Sequence, residues 1–313
     1  MSTDTNKNTG ILHWLDENFE NIFLVSGLLA IIFFITWQVI YRYFITPLVE
    51  RAGAAVWTEE ISRYIFIWIS YIAVSVAIRK RSSIRIDFVY QMLPERLQRI
   101  SWVFVEIIFL LLTLTITYYG WGQIERLQRF PQHTAAMRIP FLIPYLILPL
   151  GFGLMSLRLV QSIIKQVKVT GILDSLIGVV VAVAVMSPCV LAEYIDPVPA
   201  LFGYFLIFCV TGVPIAIGLG MSALTTILCA DTLPIEYLAQ VCFTSLDSFP
   251  TMAIPFFIAA GVFMGAGGLS QRLLGLADEL VGGMYGGMAL TTVATCMFFG
   301  AISGSGPATV AAI

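Results

Sequence analysis

Charge is what this 313-residue sequence has least of. Only 12% of its residues are Asp, Glu, Lys or Arg, about half of what a soluble domain carries. The formal net charge of −2 points to no partner of opposite sign, and no basic run fit for nucleic acid is present. Histidine is nearly missing: His13 and His133 stand far apart. The five cysteines, Cys189, Cys209, Cys229, Cys242 and Cys296, are scattered without a CxxC. Neither a metal site nor a disulfide framework is indicated; a free cysteine in an apolar run packs as a small hydrophobe. There is no HExxH, no GxSxG and no phosphate-binding P-loop, which argues against an enzyme and against ATP as the drive within this chain. The first 18 residues, Met1 to Asn18, lack the charged, apolar and small-residue succession of a cleaved leader. The first apolar run is therefore expected to remain as an anchor.

What the sequence has instead is apolar length. Its mean hydropathy is +0.90, and 22 Phe and 6 Trp suit the aromatic belts of a membrane protein. The expected fold class is an all-α integral membrane protein. A helix needs about 20 apolar residues to cross ~30 Å of hydrocarbon. Four runs meet that need: Phe19–Phe44, Ile61–Ile78, Ile100–Tyr119 and Ile139–Leu159. A polar seam at Lys165 to Asp174 separates them from a fifth run, Ile172–Ala192. The runs Ala200–Val210 and Ile215–Cys229 flank Thr211-Gly212-Val213-Pro214; they are two spans or one long kinked span, since Pro interrupts a helix. Ile235–Ser248 is amphipathic and suits the membrane interface. Thr251–Met264 is a further span, and Gln271–Leu280 reads as a surface helix.

Basic residues set the orientation. Lys7, Arg79, Lys80, Arg81, Arg85, Arg96, Arg99, Arg158, Lys165 and Lys168 fall on one side of the alternating spans. Arg42, Arg51, Arg63, Arg126, Arg129 and Arg138 fall on the other. The positive-inside bias places the N-terminus in the cytoplasm, with Arg79, Lys80, Arg81 and Arg85 as anchors to lipid phosphates. Glu106 is the clearest ionisable residue inside a span, where such groups are by default functional; near the span end the structural reading is favoured, in which it snorkels or pairs with a local arginine.

The last stretch, Phe298-Phe299-Gly300-Ala301-Ile302-Ser303-Gly304-Ser305-Gly306-Pro307-Ala308-Thr309, breaks a long apolar run with glycine, hydroxyl residues and proline. Hydrocarbon cannot satisfy freed backbone groups, so such a break survives only inside protein or beside a wet cavity. Secondary transporters place coupling ions and substrates at such breaks. The preceding arm, Met288–Phe299, has little more than half the length of a span. The expectation is the tip of a re-entrant hairpin; the alternative is a turn between two full spans at the surface. The sequence ends at Ala311-Ala312-Ile313 inside an apolar segment, so a continuation of the chain is expected.

These residues resemble a known family. Trp57-Thr58-Glu59-Glu60 before the second run, Ala77-Ile78-Arg79-Lys80-Arg81-Ser82-Ser83-Ile84-Arg85-Ile86-Asp87 after it, and Ile139-Pro140 with Leu148-Pro149-Leu150-Gly151-Phe152 look like the small membrane subunit of a tripartite ATP-independent periplasmic (TRAP) transporter. Gly212-Val213-Pro214, Ser245-Leu246-Asp247-Ser248-Phe249-Pro250, Ile254-Pro255-Phe256-Phe257 and the stretch Gly300–Thr309 look like the start of its large subunit. The resemblance implies four divisions: a cytoplasmic segment 1–18, a four-span module 19–165, a connecting helix 166–196, and a transport module 197–313 that reaches the first hairpin. It implies sodium-coupled import of an organic acid, such as sialic acid or a C4-dicarboxylate, into a bacterium across the inner membrane. A periplasmic substrate-binding protein delivers the substrate, the rest of the large subunit completes the site, and a hairpin-bearing domain moves as an elevator against a scaffold. Ser303, Gly304, Ser305, Gly306, Pro307 and Thr309 would contact ion or substrate, with Ser303, Gly304, Ser305 and Thr309 as sodium candidates. Glu59 and Glu60 are either first-turn acids at a helix N-terminus or contacts between subunits. Asp247 is either a helix cap or part of a docking surface. The competing reading is a non-transporting membrane scaffold.

Overall fold

The computed structural model describes residues 11–46, 55–80, 94–191, 196–230 and 233–303, with Gly306 and Thr309. Arg81, Arg85, Asp87, Gly304, Ser305 and Pro307 lie outside the described residues. Among the described residues the protein is helical, and its one β-type pairing is the isolated bridge His133–Pro140. Five helical stretches are long and apolar enough to cross a bilayer, as an all-α integral membrane protein requires.

Packing divides the chain into two compact units, Met1–Ser245 and Leu246–Ile313. The first begins with α1 (Ile11–Ile40), which continues as a π-helical turn over Tyr41–Ile45, and α2 (Val56–Lys80). Then comes α3 (Glu95–Arg129), which starts after Pro94 and runs well past the expected Ile100–Tyr119. The fourth apolar run does not start its helix at Ile139. Pro140 pairs with His133, a single turn α4 (Leu142–Tyr145) follows, and α5 then covers Ile147–Thr170. Gly171, at φ 89°, ends α5 and opens α6 (Ile172–Leu191). Its positive φ favours glycine, which has no Cβ to clash.

The question of one span or two after residue 197 resolves into two helices. α7 (Pro197–Val210) and α8 (Ile215–Ala230) pack against each other around Gly212, whose φ is 84°. At 1.5 Å per residue they reach only about 21 and 24 Å, less than a full crossing. The amphipathic segment forms α9 (Glu236–Thr244), with Ala239 and Phe243 buried.

Lipid tails are as apolar as leucine, so helices associate in a membrane through close packing and buried hydrogen bonds. Both appear here. A Cβ at Gly151 of α5 would stand 2.9 Å from Tyr71 Cβ of α2, and the Ser156 hydroxyl of α5 donates to Thr113 Oγ1 of α3 at 3.0 Å. On its other side α3 carries the later helices. Gly178 of α6 crosses so near that its Cβ would lie 3.1 Å from Val103. Gly220 of α8 faces Leu112, and the Ser101 hydroxyl donates to the Thr211 carbonyl at the α7–α8 turn at 2.5 Å. Asp174 in the first turn of α6 accepts from Arg96 Nε at 3.1 Å. α9 is held by three helices: the Tyr145 and Phe243 rings stack at 3.9 Å, the Tyr71 hydroxyl donates to the Cys242 carbonyl at 2.5 Å, and Gln123 Nε2 donates to the Glu236 carbonyl at 3.3 Å.

The second unit holds α10 (Phe249–Ala266), α11 (Leu269–Val281) and α12 (Gly287–Ser303). α10 keeps Pro255 in its interior, where the ring removes one ladder hydrogen bond. α11 is the amphipathic helix expected near Gln271–Leu280; it packs on both α10 and α12. α12 does not stop at Phe299. It continues through Gly300 to Ser303, so the arm is longer than its apolar run.

Candidate functional site

One proximity bears on the stretch that follows α12, where a re-entrant hairpin or a turn between two spans is expected. Thr309 Oγ1 lies 3.8 Å from the position a Cβ would take on Gly300. Along a continuous helix those residues would be separated by a rise of about 13 Å. The chain therefore turns back between Gly300 and Thr309. Thr309 is half-buried and Gly306 is exposed, and both have helical backbone.

The chemistry available at this tip is that of oxygen without charge. A helix leaves its last four carbonyls without an intrahelical partner, and among the described residues α12 runs as far as Ser303. The negative end of the helix dipole adds to their pull on a cation. Further back, the Thr292 and Thr295 hydroxyls are taken up by the carbonyls of Met288 and Thr291, and the Thr291 hydroxyl donates to Asp278 at 3.4 Å. Among the described residues no group of three or more His, Cys, Asp or Glu could hold a metal. An ion here would take backbone and hydroxyl oxygens, the donor set that suits a hard cation.

Glu60 is 2% exposed. Its Oε2 accepts the backbone amides of Ala136 and Met137 at 3.1 and 2.7 Å, and its Oε1 accepts the Tyr64 hydroxyl at 3.2 Å. It thus holds the α3–α4 connection, whose turn is closed by Thr134 N–H to the Ile139 carbonyl (2.9 Å) and by Arg138 at φ 55°. Glu59, one position earlier, accepts from Gln38 Nε2 at 3.4 Å and joins α2 to α1. Asp247 directly precedes Ser248, the N-cap position of α10, where the Ser248 and Thr251 hydroxyls meet at 2.6 Å. Glu106 is buried and receives the Ser162 hydroxyl at 2.5 Å, a local polar pairing across α3 and α5.

Sequence reasoning passed over Glu20. It is 1% exposed, with Arg158 Nε at 3.1 Å, Arg79 Nη1 at 3.7 Å and the Ser75 hydroxyl at 3.1 Å. It joins α1 to α2 and α5. The signal was present: an acid at the opening of the first apolar run, with Arg158 inside the fourth.

Residues 31–169 match the family described as tripartite ATP-independent periplasmic transporters, DctQ component. Residues 202–313 match the DctM component of the same transporters. The isethionate TRAP transporter permease protein DctMQ of Oleidesulfovibrio alaskensis is 60% identical over 304 residues, 97% of this chain and 48% of that protein. The C4-dicarboxylate TRAP transporter large permease protein DctM of Rhodobacter capsulatus is 43% identical over 113 residues, 36% of this chain and 26% of its own. The sialic acid TRAP transporter permease protein SiaT of Haemophilus influenzae is 26% identical over 266 residues, 80% and 43%. The chain spans about half the length of the fused relatives it matches. These relatives are permeases, not enzymes, and like them the chain is a multi-pass inner-membrane protein. With a DctQ-type segment followed by a DctM-type segment in one polypeptide, the chain belongs to the fused membrane components of TRAP transporters.

Proposed function

We propose that this chain is the scaffold and first-hairpin part of a sodium-coupled secondary transporter that imports a small organic acid. Isethionate, the substrate in the name of the 60%-identical relative, is the first candidate; C4-dicarboxylates and sialic acid follow. A periplasmic binding protein hands over the substrate, the remainder of the large component completes the site, and the N-terminus lies in the cytoplasm. The observation that carries this reading is the chain reversal between Gly300 and Thr309. A scaffold has no need of broken backbone in an apolar setting, whereas a carrier uses it to bind. Na+ would take the α12 carbonyls with the Ser303, Ser305 and Thr309 hydroxyls and the Gly304 backbone. The returning arm, through Gly306 and Pro307, would turn a helix N-terminus toward the acid.

An elevator motion is supported by where packing divides the chain. The break at Ser245/Leu246 leaves α7, α8 and α9 with the DctQ-type helices and separates α10–α12. The large component thus contributes its first helices to the scaffold and its hairpin to the other unit.

The test is uptake of labelled isethionate, a C4-dicarboxylate and sialic acid into proteoliposomes holding the complete permease with its binding protein. An inward Na+ gradient is compared with equimolar K+, for wild type and for Ser303→Ala/Ser305→Ala. Uptake that needs Na+ and weakens in the variant is expected. Uptake indifferent to Na+ overturns the coupling, and Na+-driven uptake unchanged in the variant moves the ion away from the tip.

A further inference from the structure

Near the C-terminal end of α3, within the first unit, lies a cavity of about 740 Å³. α3 and α9 wall it, with Pro234 at its edge. A 35-residue helix is about 52 Å long, against ~30 Å of hydrocarbon, so the end of α3 emerges among lipid headgroups. The aromatic residues there fit that level: Tyr118 is 74% exposed and Trp121 57%, as in the belts that mark membrane interfaces.

The charges in the lining narrow the occupant. Arg126 offers one guanidinium, and Glu125 and Glu236 offer two carboxylates. None of the three side chains has an ion-pair or hydrogen-bond partner among the described residues. A simple anion would meet a net negative wall. A zwitterion fits both signs: a phosphate on Arg126, and an ammonium against Glu125, Glu236 and the ring of Tyr237.

A second feature separates a lipid from a soluble zwitterion. Leu111, Leu114, Tyr118 and Trp121 are all exposed. Their spacing of three, four and three residues puts them on one helix face. That stripe leads from the cavity down α3, where an acyl chain would lie.

We propose that this cavity is a binding site for a zwitterionic phospholipid, its headgroup between Arg126 and the Glu125/Glu236 pair and an acyl chain along the Leu111–Trp121 stripe. The test uses the full chain in detergent micelles, offered equal amounts of phosphatidylethanolamine and phosphatidylglycerol, with retained lipid counted by native mass spectrometry. Wild type is expected to keep phosphatidylethanolamine. Arg126→Gln should lower retention about tenfold, the weight of one charge-assisted hydrogen bond. Glu125→Gln/Glu236→Gln removes the ammonium's partners and should shift preference toward phosphatidylglycerol about tenfold. All three targets are at the surface, and unchanged melting by circular dichroism checks that the variants fold. Soluble glycerophosphoethanolamine, the headgroup without acyl chains, should not displace the lipid. Equal retention of both lipids by wild type, or retention unaffected by either variant, overturns the site; displacement by glycerophosphoethanolamine overturns the acyl track and assigns the cavity to a soluble zwitterion.

Discussion

Met137 donates its backbone amide to the Glu60 carboxylate at 2.7 Å, joining the second helix to a surface turn 77 positions later. Ala136 donates to the same oxygen. One buried acid thereby fixes a connection that is otherwise exposed. Removing it in Glu60→Ala leaves two amides without an acceptor, at about 1–3 kcal/mol each. The expected loss is roughly 2–6 kcal/mol; Glu60→Gln, which keeps one acceptor oxygen, should lose about half of that. Thermal unfolding in detergent measures the loss. Limited trypsinolysis should show faster cutting after exposed Arg138 in Glu60→Ala, and equal cutting rates in the two proteins would show that Glu60 does not order the turn.

Glu20 should matter more than its place at the start of α1 suggests. Apart from its own π-helical extension, α1 packs on α2, and it exposes most of its apolar residues. Truncating one member of a buried ion pair leaves a charge uncompensated and costs about 3–5 kcal/mol. Glu20→Ala is expected to destabilise the first unit by that order. Replacing both partners, Glu20→Leu with Arg158→Leu, should recover much of the loss. Unfolding in SDS titrations compares the three proteins; a double variant as weak as the single one would show that the cluster does more than hold α1.

The reversal at the end of α12 can be tested without transport. Cysteines at positions 300 and 309, in a background freed of the native cysteines, should join on mild oxidation, because the Thr309 hydroxyl oxygen stands 3.8 Å from where a Cβ on residue 300 would lie, close enough for the two sulfurs to meet. On a continuous helix the same positions are too distant to join. Mass spectrometry of the oxidised protein reads the outcome directly.

Cys242 sets an alkaline limit. Loss of solvation pushes its thiol up to about 11, from an ordinary value of 9.0. Because the folded value is raised, the stabilisation is complete below about pH 9 and is lost as the pH rises through 11. Maleimide labelling of Cys242 should therefore be slow at pH 8 in the folded protein and fast after denaturation. Equal rates in both states would mean that the thiol is not withdrawn from water.

Hydropathy located the helices but not their ends, and the reason is physical. The first apolar run and α2 were legible because their length matches the bilayer. α3 was read too short because Arg96, Arg99, Glu125, Arg126 and Arg129 extend it beyond the hydrocarbon, where polar residues cost nothing. Pro140 was read as helical because its neighbours are apolar, whereas its pairing with His133 depends on a turn closed from outside by Glu60. At the candidate site the reversal was legible in its glycine, serine and proline. The end of α12 was not, since Gly300 in an apolar setting bends no helix by itself. Glu20 needed partners from two other helices before it could be recognised.

The 35-residue α3 has α5 on one side and α6, α8 and α9 on others. Whatever drifts on this helix is felt by both halves of the polypeptide. Joining those halves through α6 changes the statistics of their meeting: α7 and α8 arrive already tethered, so docking becomes intramolecular, with an effective concentration set by a short linker. Two separate chains would have to find each other by diffusion in the membrane and be made in equal number. Here stoichiometry is guaranteed by synthesis, and the contact on α3 can remain weak and still be occupied.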